Sequence, residues 1–319
     1  NKMFTTQNIF NPMNSLQLFG LKEYFINFVN LYKNKKFPKI ILLSGDKGIG
    51  KFTLSFHLVN YILSLNSKFP YNYEKLMINI DSPFYKKILL NIQENFNYIG
   101  NNYSKKIGIE DIRNIKKKFN NTPLNSMPRF TILDDVELLN INTVNALLKF
   151  IENPSTFDFF ILINNKKSKI IETLKSRCLE TKIFLDHKKQ EEVFNNLVKV
   201  LNVKSHFSHN FKRYTTPGML IKFSEYLRKL KIEQSTSFYD VSAILLDSYR
   251  KTKNDLCLDC IKFLLDIQFS KILKRDNIKV VQAIDVKSDI LNLLNQCRNF
   301  NLSNSSVLQY FKTHPEYVQ

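Results

Sequence analysis

Residues 40–54 read IILLSGDKGIGKFTL. Ile40 to Leu43 are four apolar residues in succession, the pattern of a buried strand. Glycines at 45, 48 and 50 let the backbone turn back tightly after it, and Lys51 then opens an apolar-periodic helix. A strand, a glycine-rich loop and a helix N-terminus form the arrangement in which backbone N–H groups cradle phosphate, and Gly45, Gly50 and Lys51 carry the spacing G-x-x-x-x-G-K. One position departs from it. The residue after the lysine ordinarily supplies a hydroxyl to Mg²⁺, and here it is Phe52. Thr53 has a hydroxyl but sits about 100° further round the helix, so it does not take over the same direction. The expectation is a cradle that holds nucleotide weakly and is poorly built for metal-assisted hydrolysis. A plain strand-to-helix turn is the alternative reading of such a loop.

The chain around this stretch has 319 residues, which suggests two or three domains, and its 44% hydrophobic content suits packed cores. A formal net charge of +19 favours an anionic partner such as nucleic acid. The same excess also follows from a compositional bias towards Lys, Asn, Ile and Phe. No stretch approaches the roughly 20 apolar residues that span a bilayer, and the first residues carry no signal-peptide pattern, so a cytoplasmic protein is expected. The four cysteines, at 178, 257, 260 and 297, are too scattered for a disulfide framework. Cys257 and Cys260 form a C-x-x-C within LCLDCIKFLLDI, where two buried helix cysteines are favoured over a redox or metal site.

Apolar spacing predicts a helix over Leu16 to Tyr32, a second strand at Met77 to Ile80, and a helix over Ile109 to Phe119 whose far side carries Lys116 to Lys118. Residues 81–106 are polar and Asn-rich and receive no assignment. Phe130 to Leu133 reads as a strand that delivers Asp134 and Asp135 to its C-terminal edge, where open α/β sheets bind ligands. In P-loop enzymes an aspartate there supports Mg²⁺ and the next acid orients water. Asp134 fits the first role. Asp135 is one methylene short for the second. Val144, Leu147, Leu148 and Ile151 form a core-facing helical stripe, and Phe159 to Ile163 is another buried strand, ending in Asn164 and Asn165. Those amides are candidates to bond a γ-phosphate or water, although asparagines after a strand also form turns. The strand-like run TKIFL (181–185) follows Ser176, Arg177 and Cys178.

In this order the segments GDKGIGKFT, LDDVELLN, NALLKFIENPS and, most specifically, TLKSRC (173–178) resemble the AAA+ clamp-loader subunits of bacterial replication. The resemblance is good from about residue 37 to 184. Near the end, RNFNLSNSSVLQYF is similar to a helix opening of the family's collar. The resemblance implies a RecA-like α/β domain with a parallel sheet over residues 1–185, a helical lid over 186–235 and an all-α collar over 236–319. It implies a nucleotide site made of Gly45, Gly48, Gly50, Lys51, Thr53, Asp134, Asp135 and Asn165, with Asn164 also a candidate for the sensor position. It implies that Arg177 of the Ser-Arg-Cys motif projects into the ATP site of a neighbouring subunit. Partners would be the other subunits of a hetero-pentamer, the sliding clamp and primed DNA. Thr216-Pro217-Gly218-Met219 resembles the sensor 2 region with methionine in place of the arginine of a motor subunit. Zinc is not expected, because no cysteine precedes Cys178. Weak or absent ATPase with an intact Arg177 is the reading these departures favour. Its rivals are a working AAA+ motor, kept in play by Lys51 and Asp134, and a sequence-independent DNA-binding protein, which rests on charge.

Overall fold

The computed structural model describes residues 11–100, 107–119, 127–152, 154–203, 207, 214–273, 280–300 and 303–318. Contacts divide the chain into two compact units, Asn1–Leu201 and Asn202–Gln319.

The first unit is built on a five-stranded parallel sheet: β1 (Ile40–Ser44), β2 (Phe96–Ile99), β3 (Arg129–Asp134), β4 (Asp158–Asn164) and β5 (Leu179–Lys182), in the order β2-β3-β4-β1-β5. Side chains alternate between its two faces. Ile41, Leu43, Ile132, Ile161 and Ile163 pack into one apolar core, while Leu42, Leu133, Phe160 and Leu162 pack into the other. Helices α1 (Lys22–Lys33), α2 (Lys51–Ser64) and α3 (Pro83–Leu89) contribute to the first core. Helices α4 (Ile109–Phe119), α5 (Ile141–Ile151) and α6 (Glu172–Lys175) contribute to the second. Coverage of both faces explains why β1 and β4 read as unbroken apolar runs. The unit ends with α7 (His187–Leu201).

Three expectations need correction. The helix foreseen from Leu16 starts only at Lys22, because Leu18 donates its N–H to the Leu76 carbonyl and Ile78 donates to that of Leu16. Met77 forms isolated antiparallel bridges with Gln17 and Asn72, so the strand foreseen at Met77 to Ile80 is a clasp outside the sheet. The second strand of the sheet is Phe96–Ile99, within the unassigned segment, where only Phe96 is buried. The last strand begins at Leu179, two residues before TKIFL, in register with Ile41.

The second unit is helical among its described residues: α8 (Pro217–Lys229), α9 (Phe238–Thr252), α10 (Leu256–Ile272), α11 (Val280–Phe300), α12 (Asn304–Thr313) and α13 (Pro315–Val318). Phe263 anchors it, stacked on Phe223 at 5.2 Å and edge-on to Phe207 at 5.0 Å. Cys257 and Cys260 are free and fully buried on α10. Residues 301 and 302 of the collar-like opening, and Asn153 of the ENPS run, lie outside the described residues. No described helix is long and apolar enough to cross a membrane.

Candidate functional site

Parallel strands bring the ends of β3, β4 and β1 together along the carboxyl edge of the sheet. The glycine loop starts there. The Gly45 N–H donates to the Asn164 carbonyl at 3.2 Å, and a Cβ at Gly45 would lie 2.5 Å from the Ile183 carbonyl oxygen. Gly48 and Gly50 hold φ of 83° and 101°, conformations that side chains other than glycine rarely adopt. The glycine pattern thus reflects both close approach and left-handed backbone.

Lys51 is 3% exposed, and its Nζ donates to the carbonyls of Gly45 at 2.6 Å and Asp46 at 2.8 Å. Burial lowers its pKa to about 8, against the pull of Asp134, Glu137, Asp46 and Asp135, which favour the charged form. Thr53 lies half-buried in the first turn of α2. Phe52 is buried, stacked on Phe56 at 5.9 Å and meeting Tyr98 edge-on at 4.8 Å. An aromatic cluster therefore fills the position of the metal hydroxyl. Burial, together with the Asp134 and Asp135 carboxylates, raises the Tyr98 hydroxyl above its usual range.

Asp134 closes β3, and Asp135 follows in the left-handed conformation with φ of 60°. Asn165 links the two: its Nδ2 donates to Asp134 Oδ1 at 2.8 Å and to Asp135 Oδ1 at 2.7 Å. Asp134 Oδ1 also accepts the Asp135 N–H at 2.9 Å, and Lys167 Nζ lies 2.9 Å from Asp135 Oδ1. Burial, then the neighbouring Asp135, raises the Asp134 carboxyl above the usual carboxylate range, while Asn165, the Asp135 N–H and Lys51 oppose the shift. Asn164 points elsewhere, donating to Ser44 Oγ at 3.3 Å and accepting the Lys166 N–H at 2.9 Å. Of the two amides, Asn165 is the one that meets the carboxylates.

Four further residues join this cluster that sequence reasoning missed. Glu137, 6% exposed, accepts the Lys167 N–H at 3.4 Å through Oε1 and has its pKa raised, first by burial, while its buried Oε2 has no hydrogen-bond partner. Lys166 Nζ reaches Asp46 Oδ1 at 3.2 Å, and Lys167 reaches Asp135. Tyr98 is the fourth. The adjacency NNKK was the available signal for the lysines. Nothing local marked Glu137 or Tyr98.

Arg177 is not part of the cluster. Leu174, fully buried, and Cys178, partly buried, pack into the second core on either side of it, and Arg177 is exposed between them. Its Nη1 donates to the Thr173 carbonyl at 2.9 Å and its Nη2 lies 3.2 Å from Glu152 Oε1. It precedes β5, and Glu152 follows α5 just ahead of β4, so both belong to the amino edge of the sheet. One strand length, about 15 Å, separates that edge from the glycine loop. Met219, the sensor 2 candidate, is buried on α8 in the second unit.

Residues 20–186, more than half of the chain, match the family described as DNA polymerase III, delta subunit. The chain belongs to that family. Among its relatives, the delta' subunit of DNA polymerase III from Buchnera aphidicola (subspecies Acyrthosiphon pisum) is 30% identical over 169 residues, covering 51% of this chain and 48% of that protein. The gamma subunit from Buchnera aphidicola (subspecies Schizaphis graminum) is 29% identical over 194 residues, covering 60% of this chain and 50% of that protein. The chain spans about half the length of these two relatives. A solved DNA polymerase III gamma subunit-related protein from Thermotoga maritima superposes with a TM-score of 0.52 at 16% identity, over 91% of this chain and 99% of that one. That likeness shows the fold, an AAA+ α/β unit followed by helices. The family match ends at residue 186, at the close of the sheet, so every cluster residue and Arg177 fall inside it.

The residues present fit a phosphate better than a metal. Gly45, Gly48, Gly50, Lys51 and the N-terminus of α2 form the cradle. Phe52 offers no oxygen, and the Oδ1 atoms of both carboxylates are engaged by the chain itself. No group of three or more His, Cys, Asp or Glu suited to a metal occurs among the described residues.

Proposed function

We propose that the chain is a clamp-loader subunit of the delta prime type, with weak or absent ATPase of its own, which lends Arg177 to the ATP of a neighbouring subunit during loading of the sliding clamp on primed DNA. The observation that carries this reading is the exposed Arg177 at the amino edge of the sheet, a strand length away from the chain's own glycine loop and held only by Glu152 and Thr173. An arginine so placed reaches outward, not to its own P-loop. Supplied in trans, a guanidinium stabilises charge on the transferred phosphoryl group, an effect of about 10³ to 10⁵ in rate in well-studied systems.

Phe52 in its aromatic cluster and Asp135 paired with Lys167 support the weak-ATPase half of the proposal. The reading carries with it a hetero-pentameric loader, a cytoplasmic location, and a division into an AAA+ domain over residues 1–185, a lid over 186–235 and a collar over 236–319. In the assembled loader, Arg177→Ala should leave assembly by size exclusion unchanged and lower DNA-stimulated turnover by about 10³ at the site it completes. An unchanged rate overturns the proposal. A second reading, a motor subunit, is favoured by Lys51 and Asp134 lying on one edge. It requires Mg²⁺-dependent turnover by the isolated chain that Lys51→Ala abolishes.

A further inference from the structure

Lys51 alone carries the positive charge that the motif assigns to this cradle, yet two more ammonium groups reach the same edge. Both come from the loop that follows Asn165. Lys166, with φ of 57°, turns its Nζ to Asp46 Oδ1 at 3.2 Å on the glycine-loop side. Lys167 turns its Nζ to Asp135 Oδ1 at 2.9 Å on the β3 side. The loop is tied in place, since Asn165 spans both aspartates, Glu137 accepts the Lys167 N–H and Ser168 Oγ donates to the Glu137 carbonyl at 2.7 Å.

We propose that this P-loop is a diphosphate site that works without a divalent metal, with Lys166 and Lys167 supplying from either side the two positive charges that Mg²⁺ would otherwise bring. The inference rests on the P-loop reading above and is independent of Arg177. Phe52, packed between Phe56 and Tyr98, removes the metal's hydroxyl ligand, while Lys167 and Asn165 occupy Asp135. A lysine is a compact point charge with three donors, so it accommodates phosphate oxygens without fixed coordination geometry. Lys166 and Lys167 exchange Asp46 and Asp135 for the incoming oxygens. The recognised group is the diphosphate itself, whether in a nucleoside diphosphate or free pyrophosphate.

The test is titration calorimetry on the full chain with ADP and, separately, with pyrophosphate, in EDTA and in Mg²⁺. ADP is expected to bind with the same affinity, within about twofold, in both media. Lys166→Gln/Lys167→Gln should weaken that binding at least about tenfold, as loss of charge-assisted hydrogen bonds does, and Mg²⁺ should not restore it. Lys149→Gln, on the exposed face of α5, controls for loss of surface charge and should leave binding unchanged. Pyrophosphate binding as tight as ADP places recognition in the diphosphate alone, and tighter ADP binding adds a nucleoside contact; both support the site. An affinity that rises tenfold or more with Mg²⁺, a double variant that binds normally, or absence of binding by either anion overturns it. None of these results bears on Arg177, which is judged by turnover of the assembled loader.

Discussion

The two edges of the sheet in the first unit treat their polar groups in opposite ways. At the carboxyl edge, Lys51 is buried against carbonyls of its own loop, and Asp134, Asp135, Asn165 and Lys167 satisfy one another. At the amino edge, Arg177 keeps 42% of its side chain exposed and shares one ion pair with Glu152, itself 46% exposed. Pairs of that kind contribute about 0–1 kcal/mol, so a competing phosphate or carboxylate displaces them easily. The carboxyl edge is closed around its own groups and the amino edge is open to another molecule. A domain that no longer turns over its own nucleotide can thereby keep a role in a neighbour's chemistry.

The contrast breaks most directly at Arg177, where alanine should give the largest effect, the thousandfold loss at the completed site described above. Next is Gly45→Ala. A methyl there meets the backbone oxygen of Ile183 at 2.5 Å, so β5 must shift, and stability should fall by about 1–3 kcal/mol in urea unfolding. A neutral result would mean that the carboxyl edge is not rigid. The pH dependence of ADP binding sharpens the comparison further. Burial, opposed by Asp134, Glu137, Asp46 and Asp135, leaves Lys51 with a pKa of about 8. The ammonium binds phosphate and the neutral amine does not, so affinity should be level below that value and fall by up to about tenfold per pH unit above it. A flat profile from pH 7 to about 9.5 would remove Lys51 from the site. Glu152→Gln should have the smallest effect, a stability change within about 0.5 kcal/mol by thermal melt. A loss of several kcal/mol would show the amino edge to be as tightly held as the other.

Much of this arrangement was legible in the chain. The apolar runs at 40–43, 130–133 and 159–163 lie in β1, β3 and β4, and the stripe Val144, Leu147, Leu148 and Ile151 is buried on α5. Those elements are covered by core, so their patterns are unbroken. Where one face meets water the signal weakened: β2 buries only Phe96, and Tyr98 remains 41% exposed. Residues 16–18 carry helix-like spacing, yet hydrogen bonds to residues 76 and 78, some sixty positions away, hold them extended.

The sequence by itself determined the glycine loop with its lysine, the misplaced Phe52, the paired aspartates and the Ser-Arg-Cys turn, because each depends on residues within a few positions of one another. Only the tertiary structure decided that Asn165 rather than Asn164 meets the carboxylates, that Lys166 and Lys167 flank them, and that Arg177 lies a strand length away. Those relations follow from the order β2-β3-β4-β1-β5, which sets chain ends over a hundred residues apart side by side. Strand order is fixed by the covering of two apolar faces at once, a property of the packed sheet and of no single segment.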